Sequence, residues 1–330
     1  DTMVLGRISK TDVVVCYIEG IAPPELVREV TARLNNIDID AILDTGYLAE
    51  LIVDHKWTLF TQTEHTEKPD RVCAQLLEGK VCIMADGTSM ALVLPISFPE
   101  YMISPEDYYI HFIPASLFRM LRLSAFLLAL LLPSLYVALI SYHHEMIPTP
   151  LLLTIAATRQ NVPFPAFLEA LIMEATFELL REAGLRLPRA VGPAVSIVGA
   201  LIIGDAAVRA GLVSTPMVVV VAFTGIASFV SPSYNAGIVI RIARFGFLFA
   251  SGLLGFLGIV IALLLMMIRM ASLSSFGLPY LSPMAPLNLR QMTDIIVRRP
   301  WFKSFQRPYW DGMLDQTRQQ HVNEKGVNNE

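Results

Sequence analysis

Between Val191 and Arg209 the chain reads VGPAVSIVGALIIGDAAVR. Roughly 20 mostly apolar residues suffice to cross a bilayer as a helix, and this run has two features that an ordinary lipid-facing helix lacks. Gly192, Ser196, Ala200 and Gly204 recur at every fourth position, so on a helix they stack along one face. Such a stripe of small residues lets a second helix approach closely where no hydrophobic effect drives association, and these four are the candidate helix-packing residues. Val198, Ile202, Asp205 and Arg209 project from the opposite face. An Asp and an Arg one turn apart can pair, but both are costly in hydrocarbon. Two readings follow. Either the helix lies inside a membrane assembly beside an aqueous path, with those four as the candidate pore-facing residues, or it is a packed helix whose Asp205 and Arg209 reach the headgroups at its end.

The apolar excess is confined to the second half of the chain. The chain has 330 residues, 54% hydrophobic and 16% charged, with a mean hydropathy of +0.54, against roughly 25% charged in soluble domains. The expected fold class is an α/β soluble N-terminal domain followed by an α-helical transmembrane domain of about four spans plus an interfacial or re-entrant helix. The boundaries read as 1–113 for a cytoplasmic α/β domain, 114–270 for the helical membrane domain, and 271–330 for a cytoplasmic, basic, proline-containing tail. A net charge of −4 with no basic, aromatic-interleaved patch argues against nucleic acid as a partner. Cys16, Cys73 and Cys82 are odd in number and lack CxxC spacing, which argues against a disulfide framework or zinc site and favours buried, reduced thiols. With no glycine-rich phosphate loop and no nucleophile elbow, the chain reads as neither an enzyme nor a holder of cofactor or metal. No signal peptide precedes the domain, so a cytoplasmic placement is expected. A start at Asp1 without Met suggests a missing upstream segment.

Within the first part, Val13 to Ile18 reads as a buried strand and Pro23-Pro24 opens a helix over Glu25 to Leu34. A second helix runs from about Thr45 to Val53. Thr61 to Asp70 is polar and reads as a loop, Arg71 to Glu78 as a helix, and Val81 to Ala85 with Met90 to Pro95 as a hairpin around Asp86-Gly87. Tyr101 to Phe118, rich in tyrosine and proline, suits the headgroup layer. The first span is Met120 to Tyr142, with Pro133 inside it. Arg119 and Arg122 at its start favour a cytoplasmic start.

Phe164 to Gly184 is one helix on which Glu174, Glu178 and Glu182 stack as a candidate acidic face. At the interface that face is solvated; across the bilayer it attracts cations towards a pore mouth. Pro216 to Val230 and Phe245 to Ile268 are further spans. Arg298, Arg299, Lys303 and Arg307 beside Trp301 and Trp310 read as a membrane-hugging tail. With both termini in the cytoplasm the number of crossings is even, which favours four, although the arginines between spans leave five open.

The pieces together resemble the A-subunit family of GerA-type spore germination receptors (GerA/SpoVAF). In the first part the resemblance rests on Thr11 to Glu19 with Glu25-Leu26-Val27, Ile42 to Leu51, Pro69-Asp70-Arg71-Val72, Leu77-Glu78-Gly79 with Asp86-Gly87-Thr88, and Ser104 to Tyr108. In the membrane part it rests on Phe164 to Gly184, Val198 to Gly204, Gly211 to Ser214, and Phe276 to Pro286. The resemblance implies a multi-pass protein of the spore inner membrane that assembles as a ring-shaped homo-oligomer. It also implies a transporter-like B subunit and a lipoprotein C subunit as partners, and ion conduction when nutrient is sensed. An A-like homologue tied to the dipicolinate-release machinery, a non-conducting accessory or scaffold, is the alternative. The pore assignment of Val198, Ile202, Asp205 and Arg209 comes from the helix face, not from the family.

Overall fold

The computed structural model describes residues 1–188, 199, 202–288, 292, 294–307, 315 and 317–319, with backbone alone at Ile202 and Ile203. The chain divides into two compact units, Asp1–Leu121 together with Arg269–Glu330, and Arg122–Ile268.

The first unit is built on an antiparallel sheet. Strands β1 (Thr2–Leu5), β2 (Thr11–Cys16), β3 (Glu64–Thr66), β4 (Val81–Ala85) and β5 (Ala91–Leu94) lie in the order β1-β2-β4-β5-β3. Val15 stands opposite Ile83, and Ile83 opposite Leu92, so the central strands carry one continuous apolar face. Side chains alternate along a strand, and the two faces are covered separately. Val13, Val15, Val81, Ile83, Leu92 and Leu94 pack with Leu26, Val30 and Leu34 of α1 (Pro24–Asn35) and with Leu48 and Ile52 of α2 (Thr45–Ile52). Cys82, Ala91 and Val93 meet Val72 and Leu76 of α3 (Pro69–Leu77). Proline at the first helical position opens α1 and α3. Asp44 caps α2 by accepting from Gly46 N at 2.7 Å.

Two strands of this sheet were not anticipated. β1 lies before the first apolar run, and β3 falls in the stretch that reads as a polar loop. β3 joins as an edge strand because Arg71 Nε, 3.0 Å from Glu64 Oε1, satisfies its buried carboxylate. The thiols also differ from expectation. Cys82 is buried and Cys16 half-buried, but Cys73 is exposed on the outer side of α3. Burial pushes the Cys82 thiol up to about 12.

The chain returns to this unit after the helical one. Ser274–Ser275 (β6) pairs with Leu278–Pro279 (β7). Ser275 Oγ donates to Gln62 O at 2.7 Å, Phe276 N donates to Asp54 Oδ2 at 2.7 Å, and the Arg33 guanidinium lies 4.5 Å over the Phe276 ring. Tyr280 is 2% exposed and packs its ring near Phe60 and Phe98. The basic residues that follow do not all face outward as a membrane-hugging tail would require. Arg298 is 3% exposed and donates to Ile110 O at 2.8 Å, and Arg307 Nε donates to Leu77 O at 2.8 Å. Trp310 lies outside the described residues.

The second unit is helical. Its elements are α4 (Phe112–Ser141), which starts in the first unit, α5 (Thr149–Arg159), α6 (Ala166–Arg186), α7 (Thr215–Ser228), α8 (Tyr234–Leu254) and α9 (Phe256–Ala271), which ends in the first unit. The helix α5 is opened by Pro148 and Pro150, with proline in its first turn. Among the described residues two helices, not four, are long and apolar enough to cross a membrane: α4 with 30 residues and α8 with 21.

The helices α7 and α9, with 14 and 16 residues, are apolar but short of the roughly 20 residues that a 30 Å hydrocarbon core requires. The run from Phe245 to Ile268, expected to be one span, is cut at Gly255. There φ is 61° and ψ −137°, a conformation open to glycine but strained for other residues. Tyr142, just past the end of α4, closes the break by donating from its hydroxyl to Gly252 O at 2.6 Å and Leu253 O at 3.2 Å. Ala129, Leu130 and Ala138 of α4 pack with Ala227, Ile240, Phe247 and Ile259. Val137 packs with Ala170, Met173, Met217, Val221 and Leu248.

Candidate functional site

The helix α6 gathers the charges of the second unit. Glu169 is fully buried, at 0% exposure. Its Oε1 accepts from both the backbone N and the Oγ of Ser214 at 2.6 Å, and Arg159 Nη1 lies 3.3 Å from Oε2. Further along, Glu174 Oε2 accepts from Arg244 Nη1 at 2.5 Å, with side chains 2% and 3% exposed. Glu178 Oε1 accepts from Arg241 Nη1 at 2.6 Å. Residue numbers rise along α6 as they fall along α8, so the pairs are two rungs of an antiparallel ladder. Arg181 Nη2 donates to Ser228 Oγ of α7 at 2.5 Å, and its guanidinium lies 4.5 Å over the Phe229 ring. Glu182 meets Arg186 at 2.6 Å, both exposed.

Three of these positions are the predicted acidic face, and the structure separates them by environment. Glu174 is buried and neutralised, Glu178 half-buried and neutralised, Glu182 solvated. The ladder suits the cost of burying charge, which is tolerable only with a partner in good geometry. Its arginines lacked a role in the sequence reading, yet a signal was present. Glu174 and Glu178 are four apart, Arg241 and Arg244 three apart, so each pair presents one helix face. Burial also leaves Glu174 Oε1 and Arg244 Nε and Nη2 without hydrogen-bond partners among the described residues.

Of the predicted pore-facing set, Asp205 and Arg209 lie within the described residues. Arg209 Nε donates to Asp205 Oδ1 at 2.8 Å, and the side chains are 78% and 54% exposed respectively. They sit on a π-helical turn, Ile202–Ala206, that runs into the helical turn Ala207–Arg209. Val198 and the side chain of Ile202 lie outside the described residues, as do Gly192, Ser196 and Ala200 of the helix-packing set. The remaining member, Gly204, has open space around it among the described residues: a Cβ there would meet none of them within 4 Å. Gly199, which the stripe omits, is instead closely covered, since a Cβ there would stand 2.5 Å from Leu180 Cδ2 of α6.

In the first unit a second buried polar cluster surrounds the start of α4. The side chain of Arg119 is 1% exposed, with Nε 3.1 Å from Asp107 Oδ2 and Nη1 3.3 Å from Asp294 Oδ1. The Tyr108 hydroxyl donates to Asp294 Oδ2 at 2.8 Å. The Tyr101 hydroxyl meets Thr61 O and Thr63 O, each at 3.0 Å. Tyr101 and Tyr108 therefore pack inside this unit rather than at a headgroup layer, while Tyr109 and Phe118 stay exposed.

An α/β body with a helical unit whose buried charges are paired within protein, and two helices of membrane-crossing length, make up the class to which the comparisons point. The family model described as Bacillus/Clostridium GerA spore germination protein matches residues 1–310. Spore germination protein KA of Bacillus subtilis (strain 168) is 47% identical over 319 residues, covering 97% of this chain and 59% of that protein. The uncharacterized membrane protein YfkQ of the same organism is 46% identical over 304 residues, covering 92% of this chain and 59% of that protein. The crystal structure of the N-terminal domain of the A subunit of the Bacillus megaterium spore germinant receptor GerK3 matches at 46% identity over 30% of this chain and 80% of that chain, with a TM-score of 0.23. The chain belongs to the GerA family, the A-subunit family of spore germination receptors. It spans about three-fifths of the length of the two curated relatives quoted.

Proposed function

We propose that the chain is a membrane subunit of a spore nutrient-germinant receptor, set in the spore inner membrane, and that it assembles as a ring-shaped homo-oligomer conducting ions when nutrient is sensed. Its partners on this reading are a transporter-like B subunit, a lipoprotein C subunit and membrane lipid. The observation that carries the reading is the Asp205–Arg209 pair. It is exposed in the single chain, next to apolar helices, and such groups need water or protein around them. The open space at Gly204 supports a second helix approaching the same segment. On this reading Gly192, Ser196, Ala200 and Gly204 pack between copies, and Val198, Ile202, Asp205 and Arg209 line the centre.

A multi-pass arrangement with both termini in the cytoplasm is supported by the make-up of the first unit. Residues before α4 and residues after α9 form one body, which lies on one side of a bilayer when the number of crossings is even.

The test is ion flux from liposomes holding the purified receptor complex. Val198→Ala, Ile202→Ala, Asp205→Asn and Arg209→Gln are expected to change the leak several-fold, and an unchanged leak in all four would remove the pore assignment.

The second reading, a non-conducting accessory or scaffold associated with the dipicolinate-release machinery, is favoured by one observation. Arg244 and Arg241 neutralise Glu174 and Glu178, so most of the α6 acidic row is not offered to passing cations. A silent bilayer recording from an intact oligomer would decide for it.

A further inference from the structure

Within the first unit, the segment that follows α9 comes back across the opening turns of α4 and is fastened there. Arg298 N donates to Ser116 Oγ at 3.0 Å, and its Nη1 donates to Ile110 O at 2.8 Å. The Trp301 ring lies 5.7 Å from that of Tyr108, and the Phe302 ring stands edge-on to Phe112 at 6.4 Å. Positions 112 and 116 of α4 therefore meet this strap. Ile113 and Leu117 occupy the next positions round the helix and are each 63% exposed. Trp301 and Phe302 also keep 47% and 66% of their surface in the open. Four large apolar side chains thus stand uncovered in one small part of the unit.

The free charge beside them has one sign. From Ile295 to Lys303 the chain carries Arg298, Arg299 and Lys303 and no carboxylate, and Phe112 to Leu121 carries no carboxylate either. The carboxylates nearby are engaged: Asp107 and Asp294 with Arg119, Asp70 with the Tyr109 hydroxyl at 2.7 Å, and Glu106 with Lys68 at 2.6 Å. Arg298 is held inside, under the Tyr108 and Trp301 rings. Arg299 and Lys303 are exposed, and neither side chain pairs with a carboxylate among the described residues.

The length of α4 sets where this face sits. Its 30 residues extend about 45 Å, and a hydrocarbon core takes up roughly 20 of them. Phe112 to Leu121 belong to the first unit, and the helix runs on without interruption from Arg122 to Ser141. On the membrane-subunit reading, its first turns then lie in the headgroup layer, where tryptophan rings and cationic side chains are favoured.

We propose that this face docks on anionic phospholipid, with Ile113, Leu117, Trp301 and Phe302 seated among the headgroups and Arg299 and Lys303 on the lipid phosphates. The proposal rests on the membrane-subunit reading and adds to it the class of lipid and the residues that meet it. Lipid is the occupant for two reasons. The apolar side chains adjoin a helix that continues directly into a stretch of membrane-crossing length, and the unpaired charges are opposite in sign to the phosphate. Each cation beside an anionic surface favours its binding by roughly fivefold.

The test uses the full chain with Trp57→Phe and Trp310→Phe, which leaves Trp301 alone of the three tryptophans. The chain is reconstituted in phosphatidylcholine vesicles holding either brominated phosphatidylglycerol or brominated phosphatidylcholine at equal mole fraction, with bromine near the headgroup end of the acyl chain. Flotation with the vesicles after a carbonate wash reports integration separately. Bromine on phosphatidylglycerol is expected to quench Trp301 at least twofold more than bromine on phosphatidylcholine. Arg299→Gln with Lys303→Gln should abolish that difference, and Arg299→Lys with Lys303→Arg should keep it. Equal quenching by the two lipids, or a preference that survives loss of both charges, would overturn the proposal. So would a Trp301 shielded from both lipid bromine and aqueous acrylamide, which would mean that protein covers it. A chain that floats without lipid quenching defeats this proposal alone, whereas a chain that does not float defeats the membrane-subunit reading with it.

Discussion

At the scale of single residues, burial decides chemistry more than residue type does. Cys73 and Cys82 lie in one small domain, yet the first is exposed and the second buried with its thiol pushed up to about 12. In the native chain at pH 8, maleimide is expected to label Cys73 first, with Cys82 slower by about two orders of magnitude because the thiolate is the reactive form. Peptide mapping over time checks this. His65 gives a pH prediction. Desolvation holds its imidazole below the ordinary 6.5, against an opposing pull from Asp44. Between the folded value and 6.5 the unfolded chain binds the proton more readily, so the stability this histidine contributes is present above 6.5 and is lost as pH falls below it. A falling Tm from pH 7.5 to 5.5, flattened by His65→Gln, is the expected outcome. Neither environment was legible in the sequence. The local apolar neighbours of Cys73 and Cys82 look alike, and what separates them is that Cys82 lies on the sheet face that α3 covers while Cys73 lies on the outward side of α3.

At the scale of elements, the α6–α8 ladder carries the clearest energetic consequence. Removing one partner of a buried pair strands the other, so Glu174→Ala and Arg244→Ala are each expected to cost about 3–5 kcal/mol. The double variant should cost less than the two singles together, as a thermal-unfolding cycle in detergent would measure. Glu182→Ala, at the solvated end of the acidic row where its partner Arg186 is on the same helix, is expected to stay within about 0.5 kcal/mol. Gly255→Ala is expected to cost roughly 1–3 kcal/mol, because φ is 61° and the new Cβ would stand 2.9 Å from Tyr142 Cβ. The helices themselves were largely legible. The expected helices over Glu25 to Leu34 and Arg71 to Glu78 are α1 and α3 to within one or two residues at each end. The break at Gly255 was not, since the run from Phe245 to Ile268 is apolar throughout and a lone glycine is compatible with one long helix. The strand β3 was hidden because its buried member is a carboxylate whose partner, Arg71, belongs to the next helix.

At the scale of the whole molecule, the first unit is discontinuous in sequence, and hydropathy could mark its two pieces but not that they close on one another. The closure depends on Tyr280, Phe276 and Arg298 finding partners more than 170 positions earlier, which no local pattern encodes. Tyr280→Ala is accordingly expected to destabilise the N-terminal sheet domain by about 3–5 kcal/mol, read as earlier loss of structure around Phe60 and Phe98 in hydrogen exchange. The ladder sets a rule for larger rearrangements. With carboxylates four apart facing guanidiniums three apart, sliding α6 along α8 by one turn, about 5.4 Å, exchanges partners, bringing Glu178 to Arg244 and Glu182 to Arg241 and orphaning Glu174. Intermediate offsets satisfy neither rung. Any shift of these two helices is therefore a click between discrete settings, like a two-toothed ratchet, and not a gradual drift.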